Sequence, residues 1–229
     1  MSSYTYERLS AQDHSFLAFE EPGLYMHVSG TQIFELGPLE ARGGGVDFDR
    51  VRDFIESVLH RIPRYRQKLA WIPIENRPVW VDDPDFDLGY HVRHTSLPQP
   101  GTEAQLRKLA ARVMAQHLDR ERPLWEIWVV EGLEDDRFAM ISKVHHCMID
   151  GSSGVDISMI LQSTDPNATE VEPPPPFVPR PSPSSRDLVT DAAWHRLGAP
   201  FRALKSWQSF RDEAEDLGEE VRVRAKAIM

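Results

Sequence analysis

The sequence has almost no cysteine, no long apolar run and no excess of positive charge. A single cysteine in 229 residues rules out an internal disulfide framework and fits a reducing compartment. The N-terminus shows no basic segment followed by an apolar run, as a secretory signal would. No stretch approaches the ~20 consecutive apolar residues that a membrane-spanning helix needs. We therefore expect a cytosolic protein, or one that lies peripherally on a membrane.

The charge balance is acidic and excludes one broad class of function. The chain carries 26 Lys and Arg against 36 Asp and Glu, a formal net charge of −10. A general nucleic-acid binder needs a basic face, so nucleic acid is not an expected partner. A local basic patch for the phosphates of a nucleotide remains compatible with this composition.

The most informative stretch is residues 143–151, Lys-Val-His-His-Cys-Met-Ile-Asp-Gly. The apolar and β-branched residues of 137–146 predict a buried strand, and those of 152–162 predict a short helix. Two histidines, His145 and His146, thus arrive at the C-terminal end of a strand, where scaffolds commonly hold reactive side chains. Neighbouring strand residues point to opposite faces. We expect one histidine to face a cleft and the other to pack or hydrogen-bond on the far side.

The sequence gives less support to other kinds of catalytic or metal site at this stretch. Nothing obvious lowers the pKa of Cys147, as a nucleophilic thiol requires. Ser152 and Ser153 lack the Gly-x-Ser-x-Gly setting of a hydrolase serine. A metal bound by both motif histidines and Asp150 conflicts with their opposite directions, and His91 with His94 lacks further ligands at familiar spacing. From the motif alone, a pair of structural histidines is as well supported as a catalytic one.

The rest of the first 163 residues predicts alternating helices and strands. A strand is predicted over 28–36, helices over 47–62 and 102–118, and an antiparallel hairpin over 124–131 and 138–146. Ser10 is a predicted N-cap, and Thr102 with Gln105 a predicted capping box. Trp125 and Trp128 are expected to share a strand face in the core. Arg64, Arg66 and Lys68 alternate, which favours an exposed strand face over a docking site for the phosphates of a nucleotide cofactor.

The last third of the chain has a different composition. Eight prolines fall within 164–186, which predicts a polyproline-like linker. Helical spacing returns from Asp187, with an apolar stripe flanked by basic residues. The stripe consists of Trp194, Leu197, Phe201 and Leu204. It is expected to pack on a partner domain or on a membrane surface.

His145-His146-x-x-x-Asp150-Gly151 resembles the signature of the bacterial wax ester synthase/diacylglycerol acyltransferase family. That family lies within the CoA-dependent acyltransferase superfamily, whose shared element is His-x-x-x-Asp-Gly. Three further stretches resemble the same family and occur in the same order, so the resemblance covers most of residues 4–163. They are Leu9-Ser10-Ala11-Gln12-Asp13, Met26-His27-Val28 and Pro123-Leu124-Trp125-Glu126.

The resemblance implies a fold and a domain organisation. The fold would be an α/β (α+β) sandwich like chloramphenicol acetyltransferase, with a mixed sheet and flanking helices. Residues 1–163 would form the N-terminal acyltransferase half-domain, 164–186 the linker, and 187–229 an amphipathic helical segment leading to a C-terminal half. In the family the cleft lies between the halves. The asparagine-aspartate motif of the second half is absent, so we expect this chain to be the N-terminal part of a longer or cleaved protein.

The resemblance also implies an activity. The chain would be an O-acyltransferase that moves a long-chain acyl group from acyl-CoA, a co-substrate, to a long-chain alcohol or a diacylglycerol. The product would be wax ester or triacylglycerol, formed at the inner membrane or on lipid droplets. His146 would be the general base, supported by His145, Asp150 and Gly151, and the aspartate would be chiefly architectural, paired with an arginine. The alternative is a non-catalytic lipid-surface or assembly protein that retains the fold.

Overall fold

The computed structural model describes residues 4–149 and 173–197. These fall into two compact units. One unit holds residues 4–71, 77–149 and 173–182, and the other holds residues 72–76 and 183–197. The first unit contains the four-stranded sheet, the smaller sheet except for its residue Ile72, and every described residue of the motif.

A four-stranded mixed sheet forms the centre of the first unit. Its strands are β2 (His27–Glu35), β5 (Val92–Ser96), β6 (Trp125–Leu133) and β7 (Arg137–His145), in the order β2-β7-β6-β5. The pairs β2–β7 and β6–β7 are antiparallel, and β5 runs parallel to β6. The hairpin predicted from the two apolar runs is β6–β7, so this prediction is confirmed.

A smaller sheet has the order β1-β4-β3, formed by β1 (Glu7–Arg8), β4 (Arg77–Asp82) and β3 (Gln67–Ile72). The short strand β1 pairs antiparallel with β4, with Glu7 opposite Trp80 and Arg8 opposite Val79. This pairing fixes the chain just before the first helix. As a result, the N-terminal segment lies beside the end of the motif strand, where both line one cavity.

The helices begin where their capping residues predict. Helix α1 (Ala11–Ala18) starts at Ser10, whose hydroxyl accepts from the backbone N–H of Asp13. Helix α2 (Phe48–Val58) is capped by Asp47, and α4 (Glu103–Met114) has the predicted capping box of Thr102 and Gln105. Within residues 4–149 and 173–197, the remaining helices are α3 (Leu88–His91) and α5 (Ser185–Leu197), and four short 3₁₀ turns cover Gly37–Leu39, Leu59–Arg61, Pro63–Arg66 and His146–Met148.

Apolar side chains form two clusters, which corrects one expectation. Trp125 is buried in the larger cluster with residues of α1 and α2, whereas Trp128 packs against the smaller cluster that includes Leu106 and Val113 of α4. We expected these tryptophans to share a face, and that was wrong. They are three positions apart on β6, and an odd separation places side chains on opposite faces of a strand.

The alternating basic residues also differ from expectation. Arg64 and Arg66 lie in a 3₁₀ turn that begins at Pro63, and only Lys68 lies on β3. Each has a partner: Arg64 donates to Glu7 at 2.7 Å, Lys68 lies 2.8 Å from Asp83, and Arg66 is 7% exposed with its guanidinium over a phenyl ring. A solvated strand face was therefore the wrong interpretation, because acidic and aromatic side chains from other segments of the chain contact these cations.

The described part of the proline-rich stretch, residues 173–184, forms neither helix nor strand. Several contacts attach it within the first unit, among them a backbone hydrogen bond from Thr5 to Pro181. Phe177 lies under the guanidinium of Arg66, and Arg180 forms a paired ion contact with Asp82 at the end of β4. The proposed division into half-domain, linker and terminal segment stays a prediction. Among the described helices, none is both long and apolar enough to cross a membrane.

Candidate active site

The motif strand β7 ends at His145, whose side chain is enclosed by protein. The residue is 1% exposed and lies opposite His27 in the β2–β7 pair. Its Nδ1 accepts a hydrogen bond from the backbone N–H of Cys147 at 3.1 Å. Its Nε2 lies 3.2 Å from Oε1 of Glu20, an ion-pair distance without the linear geometry of a hydrogen bond. Burial lowers the pKa of His145 to about 4, so the ring is neutral near pH 7.

Glu20 is the centre of a buried cluster behind the motif. Its carboxylate accepts from Arg120 at 2.6 Å and from the backbone N–H of Met26 at 3.0 Å. It also lies within 3.8 Å of His27 and His117. Burial opposes ionisation of Glu20, but the hydrogen bonds from Arg120 and Met26 outweigh burial and keep its pKa below the ordinary value. The cluster therefore contains an ionised carboxylate next to a neutral His145.

His146 has a different environment from its neighbour. It is half-buried and is the first residue of the 3₁₀ turn that follows β7. Its ring stacks on Phe16 of α1, with centroids 4.0 Å apart, and its backbone N–H donates to the carbonyl of Met26 at 2.7 Å. Within the described residues, its Nδ1 is buried and has no hydrogen-bond partner. Nε2 is therefore the ring nitrogen through which His146 can meet a substrate.

The structure thus separates the two motif histidines, but not by strand alternation alone. The strand was predicted to include His146, whereas β7 ends at His145 and the chain turns. The two side chains have different environments because the 3₁₀ turn changes the backbone direction at His146. Asp150 and Gly151 lie outside the described residues, so the roles assigned to the motif residues stay predictions.

A cavity of about 490 Å³ lies beside the turn. Three successive residues of the motif line it, together with both residues of β1, the start of α1, Trp80 of β4 and Arg64. Its lining combines charged, polar and apolar side chains: Glu7, Arg8, Leu9, Ser10, Gln12, Asp13, Arg64, Trp80, Cys147, Met148 and Ile149. The motif turn therefore borders a space large enough for part of a small molecule.

Of the rival chemistries, those of Cys147 and of His91 with His94 fall within the described residues, whereas Asp150, Ser152 and Ser153 lie outside them. Cys147 is buried, and burial raises the pKa of its thiol far above the ordinary value, so the thiol is not a nucleophile. His91 stacks on Trp125 in the core, while His94 stacks on Phe48. In the parts of the chain that the structure describes, no group of three His, Cys, Asp or Glu residues is placed to hold a metal ion.

Sequence reasoning missed two buried charged features of the site. No local sequence pattern marks Glu20 or Arg120 as part of the site, because both are distant from the motif in sequence and come close to it only in the folded structure. Lys143 and Glu126 did have a signal: both lie within the predicted hairpin, and they face each other in its register. Lys143 is 1% exposed, lies 2.6 Å from Glu126, and donates to the carbonyls of Val113 and Gln116 at the end of α4.

With this geometry in hand, the comparison with known proteins is decisive for the family. The profile of the wax ester synthase/diacylglycerol acyltransferase catalytic domain matches residues 9–229. This chain belongs to that family. The probable diacylglycerol O-acyltransferase tgs3 of Mycobacterium tuberculosis is 37% identical over 205 residues, covering 87% of this chain and 72% of the relative. The probable diacylglycerol O-acyltransferase tgs2 of the same organism is 39% identical over 194 residues, covering 82% and 41%.

Solved structures with similar folds support the same assignment. The wax ester synthase/diacylglycerol acyltransferase of Marinobacter aquaeolei VT8 aligns with a TM-score of 0.59 at 32% identity, covering 73% of this chain. This chain spans 41% of that protein's length. The first condensation domain of the calcium-dependent antibiotic synthetase aligns with a TM-score of 0.55 at 16% identity over 70% of this chain and 38% of that one, which shows a common fold alone. The predicted family and fold class are confirmed.

Proposed function

We propose that this chain carries the catalytic histidine of an O-acyltransferase. The enzyme moves a long-chain acyl group from acyl-CoA to a long-chain alcohol or a diacylglycerol, producing wax ester or triacylglycerol. One observation carries the proposal: His146 stands at the end of a buried strand, half-buried, with its ring against Phe16 and its N–H bound by Met26. Acid–base catalysis requires an imidazole held in a fixed position, and the three residues that directly follow His146 line a cavity.

The reaction needs one proton removed and one returned. As the acceptor oxygen attacks the thioester carbonyl, Nε2 of His146 takes the hydroxyl proton and a C–O bond forms. The tetrahedral intermediate then collapses, the C–S bond breaks, and the proton passes from His146 to the departing CoA sulfur. An imidazole with a pKa of ~6.5 can do both near neutral pH, and a thiol pKa of ~8.5 makes the sulfur a good leaving group. No covalent acyl-enzyme is required.

The other motif residues act as supports in this proposal. His145 holds the backbone of the turn through Cys147. Asp150 is architectural, pairing with an arginine, and Gly151 allows the turn that follows. Acyl-CoA is a co-substrate, and no further cofactor takes part in the reaction.

A C-terminal half of the same enzyme is the partner we propose. The support is that the chain spans 41% of the length of the solved Marinobacter relative. We also propose that the enzyme is cytoplasmic and works peripherally at the inner membrane or on lipid droplets. Exposed apolar side chains support this, including Phe19 at 62% exposure and Trp194 at 73%.

The test measures ester formation from labelled acyl-CoA with hexadecanol and, separately, with dioleoylglycerol. The purified chain is assayed alone and after co-expression with the C-terminal half. We expect ester in the combined sample and little from the chain alone. Full turnover by the chain alone would contradict the proposed partner half. Absence of ester from a folded, combined sample would contradict acyl transfer and favour the non-catalytic alternative.

A further inference from the structure

We infer that Glu20 is a positioning residue for His146, acting through two separate routes that fix the backbone on both sides of the imidazole-bearing residue. The inference rests on the proposed acyl transfer at His146. Glu20 follows α1, its side chain is 4% exposed, and it lies behind the motif rather than in the cavity beside it. We therefore place it outside the lining of that cavity, where it acts through other groups.

The first route passes through Met26. The carboxylate of Glu20 accepts the backbone N–H of Met26 at 3.0 Å. The carbonyl of the same residue accepts the backbone N–H of His146 at 2.7 Å. Met26 directly precedes β2. Glu20 therefore fixes the position of Met26, and Met26 in turn fixes the backbone of His146.

The second route passes through the ring of His145. Because Nδ1 accepts from the N–H of Cys147, the neutral ring carries its proton on Nε2, which faces Glu20 at 3.2 Å. Burial keeps this ring neutral near pH 7, so Nδ1 stays an acceptor. The negative carboxylate beside Nε2 favours a proton on that nitrogen, which is the tautomer whose Nδ1 can accept from Cys147.

Together the two routes hold successive backbone N–H groups, those of His146 and Cys147. The position of the His146 side chain depends on both, and Phe16 supports its ring from the helix side. A buried carboxylate is unfavourable without partners, and apolar residues of similar volume commonly fill such sites at no loss of stability. Arg120, which also donates to the carbonyl of Leu17, keeps the carboxylate ionised. Such an arrangement is expected where orientation of the turn matters for function.

Four variants and one control separate positioning from general stability. Glu20→Ala removes both routes, whereas Glu20→Gln keeps an oxygen for the N–H of Met26 but loses the charge. His145→Asn places an oxygen near the former Nδ1, and His145→Gln reaches toward Glu20 without serving Cys147. The control is Glu21→Gln, the same chemistry one residue later on an exposed side chain. Each is made in the full chain, combined with the C-terminal half for kinetics.

The first readout is independent of activity. Amide hydrogen exchange by NMR should be faster at His146 and Cys147 in Glu20→Ala, while amides in the middle of β7 keep their protection. Glu20→Gln should lie between wild type and Glu20→Ala, and Glu21→Gln should match wild type. His145→Asn should protect Cys147 better than His145→Gln does. Equal exchange at both amides in wild type and the two Glu20 variants would overturn the inference.

The second readout is steady-state kinetics of the folded variants, with kcat and KM determined separately. Small misplacement of a catalytic group costs up to about 100-fold, so kcat should fall by ~10- to 100-fold in Glu20→Ala with KM nearly unchanged. Partial recovery is expected in His145→Asn relative to His145→Gln. Wild-type kcat in a Glu20→Gln or Glu20→Ala protein with lost amide protection would overturn the catalytic consequence. Full activity of His146→Ala would contradict the proposed reaction at His146 itself, independently of the inference about Glu20.

Discussion

The imidazole of His146 lies face to face with the ring of Phe16, with centroids 4.0 Å apart and an interplanar angle of 27°. Phe16 is on α1, whose start is fixed by the Ser10 cap, and it packs against the larger apolar cluster. The first helix therefore contributes one wall of the site. This explains why the N-terminal segment and the motif, far apart in sequence, belong to one functional unit.

Replacing Phe16 by leucine should remove the flat surface under the imidazole while keeping most of the apolar volume. We expect kcat to fall about 10-fold with little change in KM, because ring misplacement affects the transition state more than binding. The control is Phe19→Leu at the end of the same helix, where the side chain is 62% exposed. Steady-state kinetics of both variants test this, and equal kcat values would contradict a role for the stacking.

The buried pair of Lys143 and Glu126 should matter for stability. Their charged atoms are 2.6 Å apart, and Lys143→Met leaves the buried carboxylate of Glu126 with Arg93, 3.5 Å away, as its remaining ion-pair partner. The loss should therefore lie near the lower end of the about 3–5 kcal/mol that is typical of a broken buried pair. The double variant Lys143→Met/Glu126→Gln should recover part of that loss. Arg107→Met, which breaks an exposed pair with Glu103, should cost less than about 1 kcal/mol. Urea unfolding measures all three, and a loss in Lys143→Met no larger than in the control would contradict the assignment.

The pair of Arg180 and Asp82 predicts a pH dependence. The hydrogen bond from the Arg180 side chain, acting against burial, lowers the pKa of Asp82 to about 2. A depressed carboxyl pKa stabilises the fold above the unfolded value of ~3.9, and this contribution is lost as pH falls toward ~2. Because Arg180 is half exposed, we expect Arg180→Ala to lose about 1–2 kcal/mol at neutral pH.

The measurement is the difference in unfolding free energy between wild type and Arg180→Ala at several pH values. The difference should be constant from about pH 7 to 5 and should shrink below about pH 4. Arg186→Ala, at an exposed position in α5, is the control and should show no such trend. A difference that grows on acidification would contradict the assigned ion pair.

Local signals predicted the elements well, since capping and alternation depend on nearby residues. Ser10, Thr102 and Gln105 cap helices as expected, and the hairpin of β6 and β7 has its predicted partners. The motif placed His145 and His146 at a strand end for the same reason. Local pattern could not reveal where the strand stops, because the turn at His146 is held by Met26 from another strand region.

Long-range contacts explain what sequence reasoning missed. Arg66 was expected to be solvated, yet it lies beneath Phe177 of the proline-rich stretch. Glu20 carries no local mark of burial, and its role emerges only when α1, β2 and β7 meet. Pairings between distant segments depend on tertiary packing, which no local pattern encodes.

Membrane association has its own prediction. Trp194 lies on α5 and is 73% exposed, whereas Phe201 and Leu204 of the predicted stripe lie outside the described residues. If the stripe binds lipid, Trp194→Glu should reduce co-sedimentation with vesicles containing anionic phospholipid. Val178→Glu, at an equally exposed apolar position, is the matched control. Equal pelleting of all three folded proteins would argue against the membrane role and favour packing on a partner domain.

The central claim is that His146 performs the proton transfers while its neighbours support it. The direct measurement is kcat with an acyl-CoA and a long-chain alcohol for His146→Ala, His145→Ala and Asp150→Ala, each beside its thermal melt. We predict that His146→Ala melts like wild type and loses about 10²–10⁴-fold in kcat. His145→Ala should lose less, and Asp150→Ala should melt at lower temperature, with activity falling as folded protein is lost. An inactive His145→Ala beside an active His146→Ala, or an Asp150→Ala that melts like wild type yet is inactive, would contradict these roles.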